Sequence, residues 1–154
     1  MTTRAFRNQA GKILKAAGLR RTPGRTEIIE LLLQAEQPLT QEEITTKLST
    51  DSLDKVTVYR ALDAFLSVGI VHRIETGNRV WRYAVCSCGS RKHCHPHFIC
   101  KSCGRVECLT GVKMPIVTEI KPGYQVEEQE TYVKGLCVEC SNQNSLALKG
   151  RFNG

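Results

Sequence analysis

The sequence predicts an α+β chain with an N-terminal winged helix-turn-helix domain over residues 1–84, a small metal-binding α/β domain over 85–143 and a tail over 144–154. Four helix-like segments precede two strand-like runs folded about Thr76-Gly77-Asn78, the order of elements in a winged helix. Two Cys-x-x-Cys pairs, Cys100/Cys103 and Cys137/Cys140, bracket most of the second half. At 154 residues the chain is long enough for two small domains, each with a modest core that a metal cross-link would reinforce.

The first helix is expected over residues 4–17, where Phe6, Ala10, Ile13, Leu14 and Ala17 form an apolar stripe that stops at Gly18. Arg4, Arg7, Lys12 and Lys15 occupy its remaining sides as a solvated face or as phosphate contacts. Thr22-Pro23 reads as an N-cap with proline at N1, opening a second helix that buries Ile28, Ile29, Leu32 and Leu33. Arg20, Arg21 and Arg25 crowd its start, where basic side chains and free backbone N–H groups together suit a phosphate. Thr40 to Glu43 is a capping box for a short third helix carrying Ile44 and Leu48, and a polar loop, Ser49 to Ser52, follows. Asp54 can cap a fourth helix that buries Val58, Ala61, Leu62 and Phe65 and ends at Gly69.

The hairpin is expected from Ile70 to Glu75 and from Arg79 to Val85. In a winged helix the helix before the wing enters the DNA major groove. Thr57, Tyr59 and Arg60 lie near the N-terminal end of that helix and offer a hydroxyl, an aromatic with a polar tip and a guanidinium. The bland alternative is a core helix with a polar outer face. Lys15, Arg20 and Arg25 would add phosphate contacts, and a formal net charge of +7 suits an anionic partner.

The residues from Cys86 to Cys108 hold six of the eight cysteines and three of the four histidines. Cys100, Cys103, Cys137 and Cys140 have the paired spacing of a tetrahedral structural zinc site, with 33 residues between the pairs. Disulfides are the weaker reading, because no secretory signal is seen and a bridge within one CxxC is strained. What remains, Cys86, Cys88, His93, Cys94, His95, His97, Glu107 and Cys108, is a second ligand-rich set from which another metal site is expected. His72 alternates with Ile70 and Ile74 on the hairpin and could bond to that set, coupling the wing to the next domain. After Cys108 a short helix broken near Pro115, a Pro122-Gly123 turn and a strand from Tyr124 to Val133 are expected.

No apolar run approaches 18 residues and no targeting segment is seen, so the chain reads as a cytoplasmic protein with reduced thiols and no membrane partner. A zinc hydrolase or deaminase is disfavoured, since neither HExxH nor His-x-Glu ahead of a CxxC occurs; no enzyme activity and no small-molecule substrate are expected. A thiol or peroxide switch through Cys88, Cys94 or Cys108, or a zinc-stabilised interaction module without DNA binding, are the competing classes.

LRRTPGRTEIIELL, KVTVYRALDAFLSVGIVHRIE, HPHFICKSCGRVE and GLCVEC resemble, in this order and spacing, the ferric uptake regulator family of metal-sensing repressors, over roughly residues 4–140. The resemblance implies a winged helix that binds DNA, a C-terminal α/β dimerisation domain, and a sensory metal at their junction. It also implies a homodimer that holds a palindromic double-stranded operator and releases it when metal is lost. Zinc sensors of the family have a His at the position of His72, a Cys just after the wing at Cys86 and a His ahead of the first CxxC. The implied sensory ligands are His72, Cys86, His93 or His95, and Glu107 or Cys108, with zinc in both sites. Thiolate with imidazole favours zinc over Fe(II). Fe(II) is the alternative regulatory metal, because His95 and His97 match positions used by iron sensors.

Overall fold

The structure, a computed structural model, describes residues 2–48, 53–77, 79–86, 95–127 and 129–143. Its architecture is α+β, with a winged helix followed by a small α/β unit. Helix α1 (Thr3–Ala16) buries Ala10 and Leu14, and α2 (Pro23–Gln34) buries Ile28, Ile29 and Leu32. Thr22 caps α2 by accepting from the Arg25 N–H at 3.4 Å. A two-residue strand β1 (Leu39–Thr40) runs into α3 (Gln41–Lys47), whose capping box is complete: Glu43 N–H donates to Thr40 Oγ1 at 3.1 Å, and Thr40 N–H donates to Glu43 Oε2 at 2.7 Å. The expected loop over 49–52 lies outside the described residues.

Asp54 accepts from the Thr57 N–H at 2.7 Å to start α4 (Lys55–Val68), which buries Val58, Ala61, Leu62 and Phe65. Gly69 closes α4 in the left-handed region at φ 77°, where a side chain is strained, and returns the chain into the wing. Strands β2 (Val71–Glu75) and β3 (Trp81–Val85) form the hairpin, and β1 pairs with β3 to give a sheet of order β1-β3-β2. Arg82 ties this sheet to the helices, donating to Pro38 O at 2.9 Å and to Glu43 Oε2 at 3.0 Å. The helices and β3 enclose one apolar core centred on Leu14, Ile28, Ile44, Leu62 and Phe65.

The second unit is a three-stranded sheet of order β5-β4-β6, made of β4 (His97–Cys100), β5 (Val106–Cys108) and β6 (Tyr132–Gly135). Strand β5 is antiparallel and β6 parallel to β4. Residues 138–143 add a short helical segment. The expected helix after Cys108 is not formed: residues 109–121 are turns and irregular backbone. Pro115 removes a donor there and restricts Met114, and the Gln129 side chain satisfies the freed groups, bonding Val117 N–H at 2.7 Å and Pro115 O at 2.9 Å. The expected strand from Tyr124 shrinks to β6, because in this chain only residues 132–135 lie in register with β4.

Candidate metal centres and nucleic-acid interface

Strands place the first centre. β4 ends at Cys100, and a tight turn with Gly104 at φ 73° folds Cys103 back beside it. The chain leaving β6 then brings Cys137 and Cys140 onto the same spot, where Cys100, Cys137 and Cys140 are buried and Cys103 is exposed. The four Sγ atoms lie within 4.8 Å of one another. Cys103 Sγ and Cys137 Sγ are 3.7 Å apart, too far for a disulfide and close to the roughly 3.8 Å edge of a tetrahedron with zinc–sulfur bonds of about 2.3 Å. Backbone N–H groups of Cys103 and then Cys137 point at Cys100 Sγ and hold its thiol down to about 6, so one thiolate is ready at neutral pH. Arg105 clasps Glu139 at 2.8 Å, joining the turn after one pair to the other.

The second centre forms where the two sheets face each other. On β2, His72 and Ile74 share one side; on β4, His97 and Ile99 share one side. Register puts Cys108 of β5 and Tyr132 of β6 on either flank of His97. His72 Nε2 stands 3.0 Å from His97 Nε2 and 3.8 Å from Cys108 Sγ. The rings of His72, His95 and His97 lie 5.0 to 5.1 Å apart, and the donor atoms of His72, His95, His97 and Cys108 all fall within 4.8 Å of one another. A tetrahedral zinc ion needs N···N near 3.3 Å and N···S near 3.6 Å, so the cage has the right size and donor types. Ile74, Ile99 and Val106 seal the cage from the neighbouring row.

Electrostatics prepare these donors unequally. Burial, with help from His72 and His95, lowers His97 to about 4, and burial followed by His72 also lowers His95. Their imidazoles are therefore neutral and available as ligands near pH 7. Burial, and then the charge of Cys86, pushes the Cys108 thiol up to about 11, so an ion must displace its proton. His72 Nδ1 is buried with no hydrogen-bond partner among the described residues.

Seen from outside, α4 presents Thr57, Tyr59 and Arg60, with Tyr59 57% exposed. Lys15 and Arg20 are exposed near the α1–α2 turn, and Arg25 donates to Arg20 O at 3.2 Å. The helix of the winged motif that would read DNA thus offers polar side chains on one side and the core on the other.

The profile described as the ferric uptake regulator family matches residues 16–132. The chain belongs to the ferric uptake regulator family. It is 32% identical over 145 residues to the zinc uptake regulation protein of Escherichia coli K12, covering 90% of this chain and 83% of that protein. It is 36% identical over 153 residues to the ferric uptake regulation protein of Vibrio anguillarum, covering 94% and 97%. A solved zinc uptake regulator in complex with zinc and DNA superposes with a TM-score of 0.69 at 29% identity, covering 94% of this chain and 99% of that one. Ferric uptake regulator proteins are metal-responsive DNA-binding regulators and not enzymes, and they bind operator DNA as dimers. This member is a metal-responsive DNA-binding regulator of the same kind.

Of the sensory ligands expected for this ferric uptake regulator family member, the structure brings together His72, His95 and Cys108, and adds His97. Cys86 lies outside the four-donor group; it follows β3 and lines, with Cys108, a cleft of about 500 Å³ between α1, α2 and the second sheet. Glu107 sits next to Cys108 on β5 and is exposed, 3.9 Å from Arg105, because alternate strand residues face opposite ways. His93, Cys88 and Cys94 lie outside the described residues. The signal that singles out His97 is its register opposite Cys108, which spacing alone does not reveal.

Proposed function

We propose that this chain is a zinc-sensing transcriptional repressor of metal-homeostasis genes, acting in the cytoplasm as a homodimer on a palindromic double-stranded operator. Residues 1–84 form its DNA-binding domain and 85–143 its dimerisation domain. Thr57, Tyr59 and Arg60 read bases, while Lys15, Arg20 and Arg25 hold phosphates. Exposed apolar residues on the second unit, among them Val112, Ile116, Ile120, Tyr124, Val133 and Val138, supply area for a second copy.

The single observation that carries the sensing reading is the meeting of His72, from the wing, with His95, His97 and Cys108 from the other unit. Zinc bound there would cross-link the two units and fix the wing's angle; zinc on Cys100, Cys103, Cys137 and Cys140 would hold the second unit together. Three imidazoles with one thiol suit zinc, and the 32% likeness to a zinc uptake regulation protein supports it. The imidazole majority, with the 36% likeness to a ferric uptake regulation protein, favours Fe(II) as the second reading.

The test is fluorescence anisotropy with a duplex selected from random DNA by the zinc-loaded protein, under buffered free Zn(II) and, anaerobically, Fe(II). Restoration of tight binding by zinc, abolished in His72→Ala, supports the proposal. Equal or better restoration by Fe(II) replaces zinc with iron. Binding that ignores both metals and vanishes reversibly with peroxide replaces metal sensing with a thiol switch.

A further inference from the structure

Helix α4 buries Val58, Leu62 and Phe65, yet leaves Val56 and Tyr59 exposed by 54% and 57%. Val56, Tyr59, Arg60 and Asp63 are spaced i, i+3, i+4 and i+7, so they form one stripe along the outer side of the helix. A single valine in solvent is ordinary. This one sits in the first turn of the helix assigned above to base reading, between the exposed Lys55 and Arg60, on backbone fixed from two directions. Asp54 caps that turn by accepting from the Thr57 N–H at 2.7 Å, and Gln41 Nε2 of α3 donates to Lys55 O at 3.0 Å. Helix propensity does not ask for valine here, since alanine, lysine or glutamate serves an exposed helical position better.

We infer that Val56 is a specificity-determining residue that reads thymine, packing its isopropyl group against the C5-methyl of that base in the operator's major groove. This rests on the reading of α4 as the base-reading helix. The hydrogen-bonding atoms of a base edge offer nothing to an isopropyl group, and the thymine methyl is the one apolar group that unmodified base pairs present in the major groove. Lys55 and Arg60, positive and exposed in the same turn and the next, match the phosphates that line a groove and select DNA over an apolar protein surface as the occupant. A β-branched side chain has few rotamers to lose, and its backbone is already held, so the contact costs little ordering entropy. Thr57 and Arg60 answer to polar atoms of the bases; Val56 adds a test for a methyl group that they do not make.

The experiment uses the full-length zinc-loaded protein and a duplex that it selects from random DNA. Each thymine of one half-site is replaced singly by deoxyuridine, which keeps every hydrogen-bonding atom and deletes only the methyl. Affinity is read by fluorescence anisotropy for wild type, Val56→Ala and Arg60→Ala. At one thymine position the wild type is expected to lose roughly threefold to fivefold in affinity on loss of the methyl, the worth of one buried methyl group. Val56→Ala is expected to bind the thymine duplex more weakly by a similar factor and to be indifferent to uracil at that position, with its thermal melt and Zn(II) affinity unchanged. Uracil losses that persist undiminished in Val56→Ala, or a wild type indifferent to every methyl, overturn the inference; α4 still stands as the reading helix if Arg60→Ala relaxes base selectivity. If Val56→Ala and Arg60→Ala both keep wild-type base selectivity, the assignment of α4 is overturned, and the thymine contact with it.

Discussion

All four thiols of the Cys100, Cys103, Cys137 and Cys140 cluster come from one small unit, whereas the other cluster takes His72 from the wing, His97 and Cys108 from the facing sheet and His95 from the segment just before β4. The thiols sit at the end of β4, in the turn after it, and just before and within the helical segment over 138–143, with Cys137 N–H donating to Cys100 Sγ at 3.3 Å. An ion bound there would hold together a three-stranded sheet of four, three and four residues. The histidines are different, because each side of their cage stands on its own hydrogen-bonded sheet. On the proposed reading, an ion lost from that cage would loosen the angle between the sheets and leave the sheets intact. On that reading, placement relative to the fold, more than donor chemistry, would separate a structural centre from a sensory one.

The largest effect expected is at the first centre. Cys137→Ser should lose one equivalent of tightly held zinc and unfold the second unit, since a structural zinc contributes on the order of 10 kcal/mol to folding. Metal content and the thermal melt of the purified variant check this; a variant that keeps its melt breaks the contrast. At the second centre, His97→Ala should weaken the exchangeable ion by about 100-fold or more while the first zinc and the melt persist, as followed by chelator competition. A collapse of the melt in His97→Ala would make both centres structural.

Proton linkage sharpens the difference. Cys108 is pushed up to about 11 and must lose a proton to ligate, so the affinity of the exchangeable ion should rise about tenfold per pH unit between pH 7 and 9. In Cys108→Ser that slope should flatten. For the metal-free protein, His97 titrates near 4 when folded against an ordinary 6.5. The unfolded chain takes up that proton first as pH falls, so this contribution to stability is complete above 6.5 and is lost progressively toward 4. Urea unfolding across that range measures it. The smallest effect on either centre is expected from Arg60→Ala, which should cost about 1 to 3 kcal/mol of operator binding and leave both metal affinities unchanged.

The helices were legible because their ends are written in local chemistry: Thr22-Pro23, the Thr40 and Glu43 box, Asp54 and Gly69 each act within a few residues of themselves. β1 was not, since Leu39 and Thr40 become a strand only by pairing with Tyr83 and Arg82. The segment after Cys108 misled because its apolar residues, from Val112 to Ile120, are exposed rather than packed in this chain, and Pro115 breaks any helix. The four-cysteine centre was readable from spacing alone, as each pair needs only one turn. The second donor group was readable as a population of donors and not as a set: the pairing of His97 with Cys108 across β4 and β5 brings Cys108 into the group, and its neighbour Glu107 is exposed beside Arg105.

The most direct test of the contrast is a stepwise chelator titration of the fully zinc-loaded protein, recording zinc per chain, operator anisotropy and the thermal melt at each step. Operator binding is expected to disappear with the first zinc removed, while the melt collapses only with the second. Operator binding that survives removal of the first zinc, or a melt that collapses together with it, would contradict the assignment of separate structural and sensory centres.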